Sequence, residues 1–190
     1  MNGGGVRLVR PADEHLPAYV DALKRGWSPD NVRGLAAAEE QLDWIARDPA
    51  GFLDSCDDPE ACGKPVRLPD GSTAARLPGI TRWIWSDSFC GSIGFRWQNG
   101  TAELPPHVLG HIGFAVVPWK RRQGAATRAL ALILEEPRRL GLPFVEITTT
   151  PDNIGSQRVI EANGGMLVER FEKAAAFGGG ETLRYRIALD

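Results

Sequence analysis

Residues Val116–Thr127, VVPWKRRQGAAT, bring together side chains and a spacing suited to holding an anion. The hydrophobic run HIGFAVV stops at Pro118. Arg121, Arg122, Gln123 and Gly124 follow, and an alanine-rich segment with helical periodicity begins at Ala125. A strand, a turn and a helix start thus fall within a dozen residues. The free N–H groups of a helix's first turn then converge on one point, where the macrodipole also favours negative charge. Gly124 allows close backbone approach, and Ala126 keeps the adjoining helical face small. The chemistry implied is binding of a phosphate or pyrophosphate. The plain alternative is a strand-to-helix turn that happens to contain a glycine. No lysine followed by Ser or Thr comes after that glycine, which excludes a Walker loop, and there is no GxGxxG to indicate a dinucleotide fold.

The elements that must position this segment can be read along the chain. Val6–Arg10 alternates apolar and charged residues as a half-buried strand would. Leu16, Tyr19, Val20 and Leu23 give a helix ending near Gly26, and Leu35, Ala38, Leu42 and Ile45 a second over about 35–46. The other face of that second helix carries Glu39, Glu40 and Asp43, a solvated face in the ordinary reading. Residues 48–63 read as an irregular loop, and LPDGST within 66–77 as a hairpin turn. Strands are predicted over Thr81–Trp85, Ser92–Trp97, His111–Val117, Phe144–Thr149, Met166–Phe171 and Thr182–Leu189. Asn99-Gly100 marks a turn, and Gly178–Gly180 joins the last two strands. A helix over Ala125–Leu140 should kink or end at Pro137, and a short one spans Ile154–Asn163. The order is mixed α/β, of the α+β kind, in one domain over 1–190, with no internal repeat.

Composition narrows the partners. With 43% hydrophobic and 24% charged residues, the 190-residue chain is that of an ordinary globular protein. A formal net charge of −2 gives no footprint for nucleic acid. No apolar run approaches a membrane span, and the start MNGGGVRLVR lacks a signal-peptide core. Cys56, Cys62 and Cys90 are odd in number and form no CxxC pair, which argues for reduced thiols, no metal site and a cytoplasmic setting.

Taken together, these segments resemble the GNAT superfamily of N-acetyltransferases. The R-R-x-G-x-A/G pattern that holds the pyrophosphate of coenzyme A in that family is matched by Arg121, Arg122, Gln123, Gly124, Ala125 and Ala126. A second family element, N-x-x-S/A on a short helix and then Asn or Lys before Gly, is matched by Asn153, Ser156 and Asn163-Gly164-Gly165. GHIGF, TTTPDNIGSQRVIEANGG and RYRIAL look closest to a bacterial subgroup of predicted acetyltransferases. The likeness is clear from about Thr81 onwards and weak before it. It implies a GNAT fold: a central mixed, mostly antiparallel twisted sheet of about six to seven strands flanked by about four helices.

The resemblance further implies acetyl-CoA as donor, no metal, and direct acetyl transfer to the primary amine of a small molecule or protein in a ternary complex. The backbone of Phe114, Ala115 and Val116 would pair with the pantetheine arm, with the Val116 N–H as oxyanion donor. Thr127, Asn153 and Ser156 would complete the cofactor contacts. Candidates for the base are Glu103, His107 and His111, on or before the strand leading to the cofactor. Where the family often has a tyrosine acid this chain has Ile160, which keeps open a second reading, a non-catalytic acyl-CoA sensor or interaction module. Trp27, Trp44, Trp83, Trp85 and Trp97 could wall an acceptor pocket, though such spacing is more often core. Homodimerisation, common for folds of this size, is left open.

Overall fold

The computed structural model describes residues 5–68, 71–175 and 178–189. Met1–Gly4 and two residues of the predicted hairpin turn, Pro69 and Asp70, lie outside them. The chain runs β1 (Arg7–Val9), α1 (Leu16–Lys24), α2 (Leu35–Arg47), α3 (Pro49–Ser55), β2 (Asp57–Asp58), β3 (Val66–Arg67), β4 (Thr73–Ala74), β5 (Gly79–Trp85), β6 (Phe89–Arg96) and β7 (Ile112–Val116). It continues with a 3-10 turn (Pro118–Lys120), α4 (Ala125–Ile133), α5 (Glu135–Arg139), β8 (Phe144–Thr149), α6 (Ile154–Glu161), β9 (Met166–Glu172) and β10 (Glu181–Ala188). The mixed α/β architecture is the one expected.

Two local readings need correction. Residues 48–63 hold a helix and a short strand, because Asp48 caps α3 by accepting from the Gly51 N–H at 2.9 Å, and Pro49 sits at its start. A Pro/Asp/Gly-rich stretch therefore served as a helix start rather than a breaker. The helix predicted over Ala125–Leu140 breaks at Leu134, three residues before Pro137. The proline ring excludes an undistorted turn N-terminal to itself, so the break precedes it.

The strands form two main sheets instead of one. The first has the order β1-β5-β6-β7, with β2 also paired to β5; the second has the order β8-β10-β9, and the pairings within both are antiparallel. Side-chain alternation sends Ile80, Ile84, Ile93, Phe95 and Ile112 to one face of the first sheet. There they join Ala125, Ala129, Leu130 and Ile133 of α4, Ile160 of α6 and Leu183, Tyr185 and Ile187 of β10 in one core cluster. The opposite face presents Trp83, Ala115 and Val117 to Tyr19, Trp27 and Phe52. In that second cluster Tyr19 stacks on Trp83 with centroids 4.7 Å apart. Of the five tryptophans considered as pocket walls, Trp27, Trp83 and Trp97 are buried in these clusters and Trp85 packs against one of them.

One residue stitches the two sheets. The His111 N–H donates to the Glu146 carbonyl at 2.7 Å, and the Glu146 N–H donates to His111 Nδ1 at 3.0 Å. The His111 carbonyl accepts from the Arg96 N–H on the other side at 2.9 Å. Gly110 lets the seam close, since a Cβ there would stand 3.1 Å from the Glu146 carbonyl oxygen. The Glu146 carboxylate is buried and held by Arg184 at 3.1 Å and Arg186 at 2.7 Å.

Candidate functional site

Beyond the seam, β7 has β6 on one side. The Val117 N–H donates to the Cys90 carbonyl at 2.9 Å, so Val117, Ala115 and Gly113 turn their backbone groups toward β6. By alternation, the N–H and C=O groups of Phe114 and Val116 face away from it. Two side-chain contacts agree. Asn31 Nδ2 donates to the Phe114 carbonyl at 3.4 Å, and Arg121 Nε donates to the Val116 carbonyl at 3.1 Å. This edge of β7 is what an extended amide-containing ligand would need in order to add itself as a strand. β7 also depends on Gly91: a Cβ there would lie 2.1 Å from the Ala115 carbonyl oxygen, so only glycine admits the close approach of the two strands.

At the end of β7 the chain makes the 3-10 turn, passes through Arg122 at φ 62° and reaches Gly124 at φ 78° as the N-cap of α4. A left-handed arginine costs about 1–2 kcal/mol, so the turn is held by its surroundings. Trp119 anchors it, with the Arg25 guanidinium 3.5 Å from the ring centroid. Lys120 pairs with Asp87 at 2.9 Å; together with the Ser86 hydroxyl, the larger cause, it lowers the Asp87 carboxyl to about 2. No side chain caps α4, and its first helical bond runs from the Arg128 N–H to the Gly124 carbonyl at 3.0 Å. The N–H groups of Ala125, Ala126 and Thr127 therefore have no partner in the helix. Arg121, Arg122, Gln123 and Gly124 are all exposed around them.

The second motif lies alongside. Asn153 caps α6, its Oδ1 accepting from the Ser156 N–H at 3.1 Å. At the other end of α6, Asn163 Nδ2 donates to the Val159 carbonyl at 2.8 Å and to the Thr127 carbonyl at 3.2 Å, locking α6 to the first turn of α4. Ile160 is wholly buried, and Gly165 must be glycine because its Cβ would lie 2.3 Å from Ile160 Cγ2.

The structure thus gathers Phe114 to Thr127, with Asn153 and Ser156 on the neighbouring helix. His111 falls at the seam end of β7, and Glu103 and His107 belong to the segment of chain that leads into it. Five residues separate His111 from Val116, about 17 Å along a strand. A base must come within hydrogen-bond reach of the proton it takes, or one water away. His111 Nδ1 is engaged by the Glu146 N–H, and burial pushes its pKa down from 6.5. Its geometry is that of a seam residue. Asn31 and Arg25, which do border the site, carried no local sequence signal; their roles come from contacts with Phe114 and Trp119, far along the chain. No group of three or more His, Cys, Asp or Glu among the described residues could hold a metal.

Strand, uncapped helix and second sheet together fit an acetyltransferase of the GNAT class. The family model for the acetyltransferase (GNAT) domain matches residues 6–166, and the chain belongs to that family. It is therefore an acyltransferase by class. No curated protein matches the chain in sequence. Among solved structures it resembles a GNAT-family acetyltransferase from Bacillus anthracis, at 15% identity and TM-score 0.63, covering 99% of this chain and 97% of that one. It also resembles Mycobacterium smegmatis RimJ in complex with CoA-disulfide, at 16% identity and TM-score 0.61, covering 97% and 82%. A third likeness is to a putative ribosomal-protein-serine acetyltransferase from Vibrio cholerae, at 13% identity and TM-score 0.60, covering 100% and 95%. At such identities these likenesses speak to the fold. No helix among the described residues is long and apolar enough to cross a membrane.

Proposed function

We propose that the protein binds acetyl-CoA along the free edge of β7 and transfers its acetyl group to the α-amine of a polypeptide. The observation that carries this reading is the uncapped start of α4, three orphan N–H donors behind a left-handed glycine at the end of a strand with a free edge. Those donors fit a pyrophosphate, with Arg121, Arg122 and Gln123 around it. Thr127 and Ser156 would complete the cofactor contacts. When bound, acetyl-CoA supplies an activated acyl carbon: a C–N bond forms as the C–S bond breaks, the amine gives up one proton and the thiolate takes one. The chain supports this by presenting the Phe114 and Val116 amide and carbonyl groups to the pantetheine arm, and by aiming the Val116 N–H at the acyl oxygen, where negative charge develops. The coenzyme A held in the M. smegmatis RimJ structure is in keeping with the assignment.

Proton handling narrows the acceptor. His111 is taken up by the seam, and position 160 offers no hydroxyl. An α-amine, with pKa near 7.7–8.0, is neutral in roughly one molecule in ten at pH 7, whereas a lysine amine near 10.4 is neutral in fewer than about one in a thousand. A site without a dedicated base therefore suits an α-amine. The thiol, with pKa about 8.5, leaves tolerably without a tyrosine acid. The same deficits support a second reading, an acyl-CoA sensor without turnover.

Thermal unfolding with acetyl-CoA, coenzyme A, ATP and NAD tests the first step. Saturation at a hundred times Kd adds about 2.7 kcal/mol, and a shift with the two coenzyme A species alone is expected. An equal shift with ATP overturns the cofactor assignment. Release of free coenzyme A only when an amine is present separates the enzyme from the sensor.

A further inference from the structure

On the face of the first sheet opposite α4, the strands are covered by α1–α3 at the level of Trp83, Ser92 and Ala115, which are all buried. One step further along, the row is Thr81, Gly94 and Gly113. Two glycines stand side by side there, so the backbone lies bare: Gly113 is exposed, and a Cβ on it would meet nothing within 4 Å. The next step brings Arg96, on the same face by alternation with Ile93 and Phe95, which enter the core. The loop between α1 and α2 borders this strip, since Asn31 reaches the Phe114 carbonyl. Asp30 fixes that loop by accepting from the N–H groups of Val32 at 2.8 Å and Arg33 at 2.9 Å.

Arg96 differs from the paired arginines around it. It makes no ion pair and no side-chain hydrogen bond among the described residues, whereas Arg82 on the neighbouring strand is paired with Asp57. Arg96 is exposed as a residue, while desolvation of its charged end lowers its pKa, opposed by the field of Asp30. Planar unpaired guanidinium groups in such positions suit carboxylates, which they bind through two parallel hydrogen bonds.

The distance sets the size of the ligand. Arg96 stands level with His111, five residues from Val116, or about 17 Å; Gly113 is three residues from Val116, or about 10 Å. We infer that the Gly94–Gly113 pair floors the acceptor groove and that Arg96 binds a carboxylate of the acceptor three to five residues from the reacting amine. The acceptor is then the amino terminus of an extended, acidic polypeptide segment. This rests on the acetyl-transfer reading above, and deepens it to a substrate class.

The test uses amidated hexapeptides with a free amino-terminal serine that carry, at positions three to five, either glutamates, glutamines or lysines. Coenzyme A release is followed with the full chain, with Arg96→Gln and with Arg96→Glu, each first checked for its acetyl-CoA thermal shift. The wild-type protein is expected to favour the glutamate peptide over the lysine peptide by about tenfold or more in kcat/KM, as a charge pair at a partly desolvated site would. Arg96→Gln should level the series and Arg96→Glu should invert it, with the acetyl-CoA shift retained in both. Equal rates for all peptides, or a glutamate preference that survives Arg96→Glu, overturns the assignment of Arg96. Turnover of free serine amide as fast as the glutamate peptide overturns the polypeptide acceptor. If the acetyl-CoA shift is present but no peptide is turned over, the substrate class fails while the cofactor site stands. If the wild-type protein shows no shift, the reading beneath it fails first.

Discussion

The turns β7–α4 and β8–α6 are made from similar parts and finished in opposite ways. Each leaves a strand and enters a short helix through polar residues. In the second turn Asn153 accepts from the Ser156 N–H, and Gln157 Nε2 donates to the Pro151 carbonyl at 2.8 Å, so the turn satisfies itself. In the first, the N-cap is a glycine without a side chain, and three N–H groups are left pointing outward. Capping would stabilise α4 by about 1 kcal/mol. Forgoing it, while holding Arg122 left-handed, makes sense where an anion takes the place of the cap. The open turn binds; the closed turn braces it through the Asn163 contact to Thr127.

The sharpest way to break this contrast is Gly124→Pro. Proline fixes φ near −65° where the chain needs 78°, so the acetyl-CoA thermal shift should disappear while the cooperative unfolding transition remains. An undiminished shift would show that the open turn is not the anion site. His111→Ala comes next. Losing the ring opens the seam that sets the two turns apart and should cost about 1–3 kcal/mol in denaturant unfolding. The acid limb of the wild-type protein carries the same signature. The folded state holds His111 neutral below its ordinary pKa of 6.5, whereas the unfolded chain takes up a proton there. Its contribution is full above about pH 6.5 and is lost as pH falls through the folded value. His111→Ala should flatten this slope of stability against pH and leave the shape of the pH–rate profile unchanged; a changed rate profile would restore His111 to the proton path.

Smaller effects discriminate between the turns themselves. Asn153→Ala removes the closed turn's cap and should lower stability by about 1 kcal/mol. Affinity for coenzyme A should fall less than threefold; a larger loss would make Asn153 a ligand as well as a cap. Arg122→Gly relieves the left-handed arginine at the cost of unfolded-chain entropy, for a net gain of about 0.5–1 kcal/mol. Coenzyme A affinity measured on the same variant should weaken if the guanidinium touches a phosphate.

Much of the fold was legible because its signals are local. Alternation placed β5, β6, β7, β8, β9 and β10 within a residue or three of their ends, and apolar spacing placed α1 and α2. Residues 48–63 were misread because Asp48 and Pro49 serve turns and helix starts equally well, and packing of Phe52 into the aromatic cluster chose between them. The break at Leu134 was anticipated in kind but not in place, since proline's clash falls on the residues before it. In the site, the loop from Arg121 to Thr127 and the edge of β7 were readable from the motif. The place of His111 in the seam was not, because proximity in sequence to a strand says nothing about what its side chain meets across the fold.

The sequence by itself determined the elements, their order, the glycine at the anion turn and the asparagine cap. These depend on dihedral preference and on hydrogen bonds between residues close along the chain. Only the tertiary structure decided that His111 closes a seam, that Asn31 meets Phe114, and that Arg96 stands unpaired beside a bare glycine pair. Those facts depend on which strands become neighbours and in what register, which is set by burial summed over the whole core.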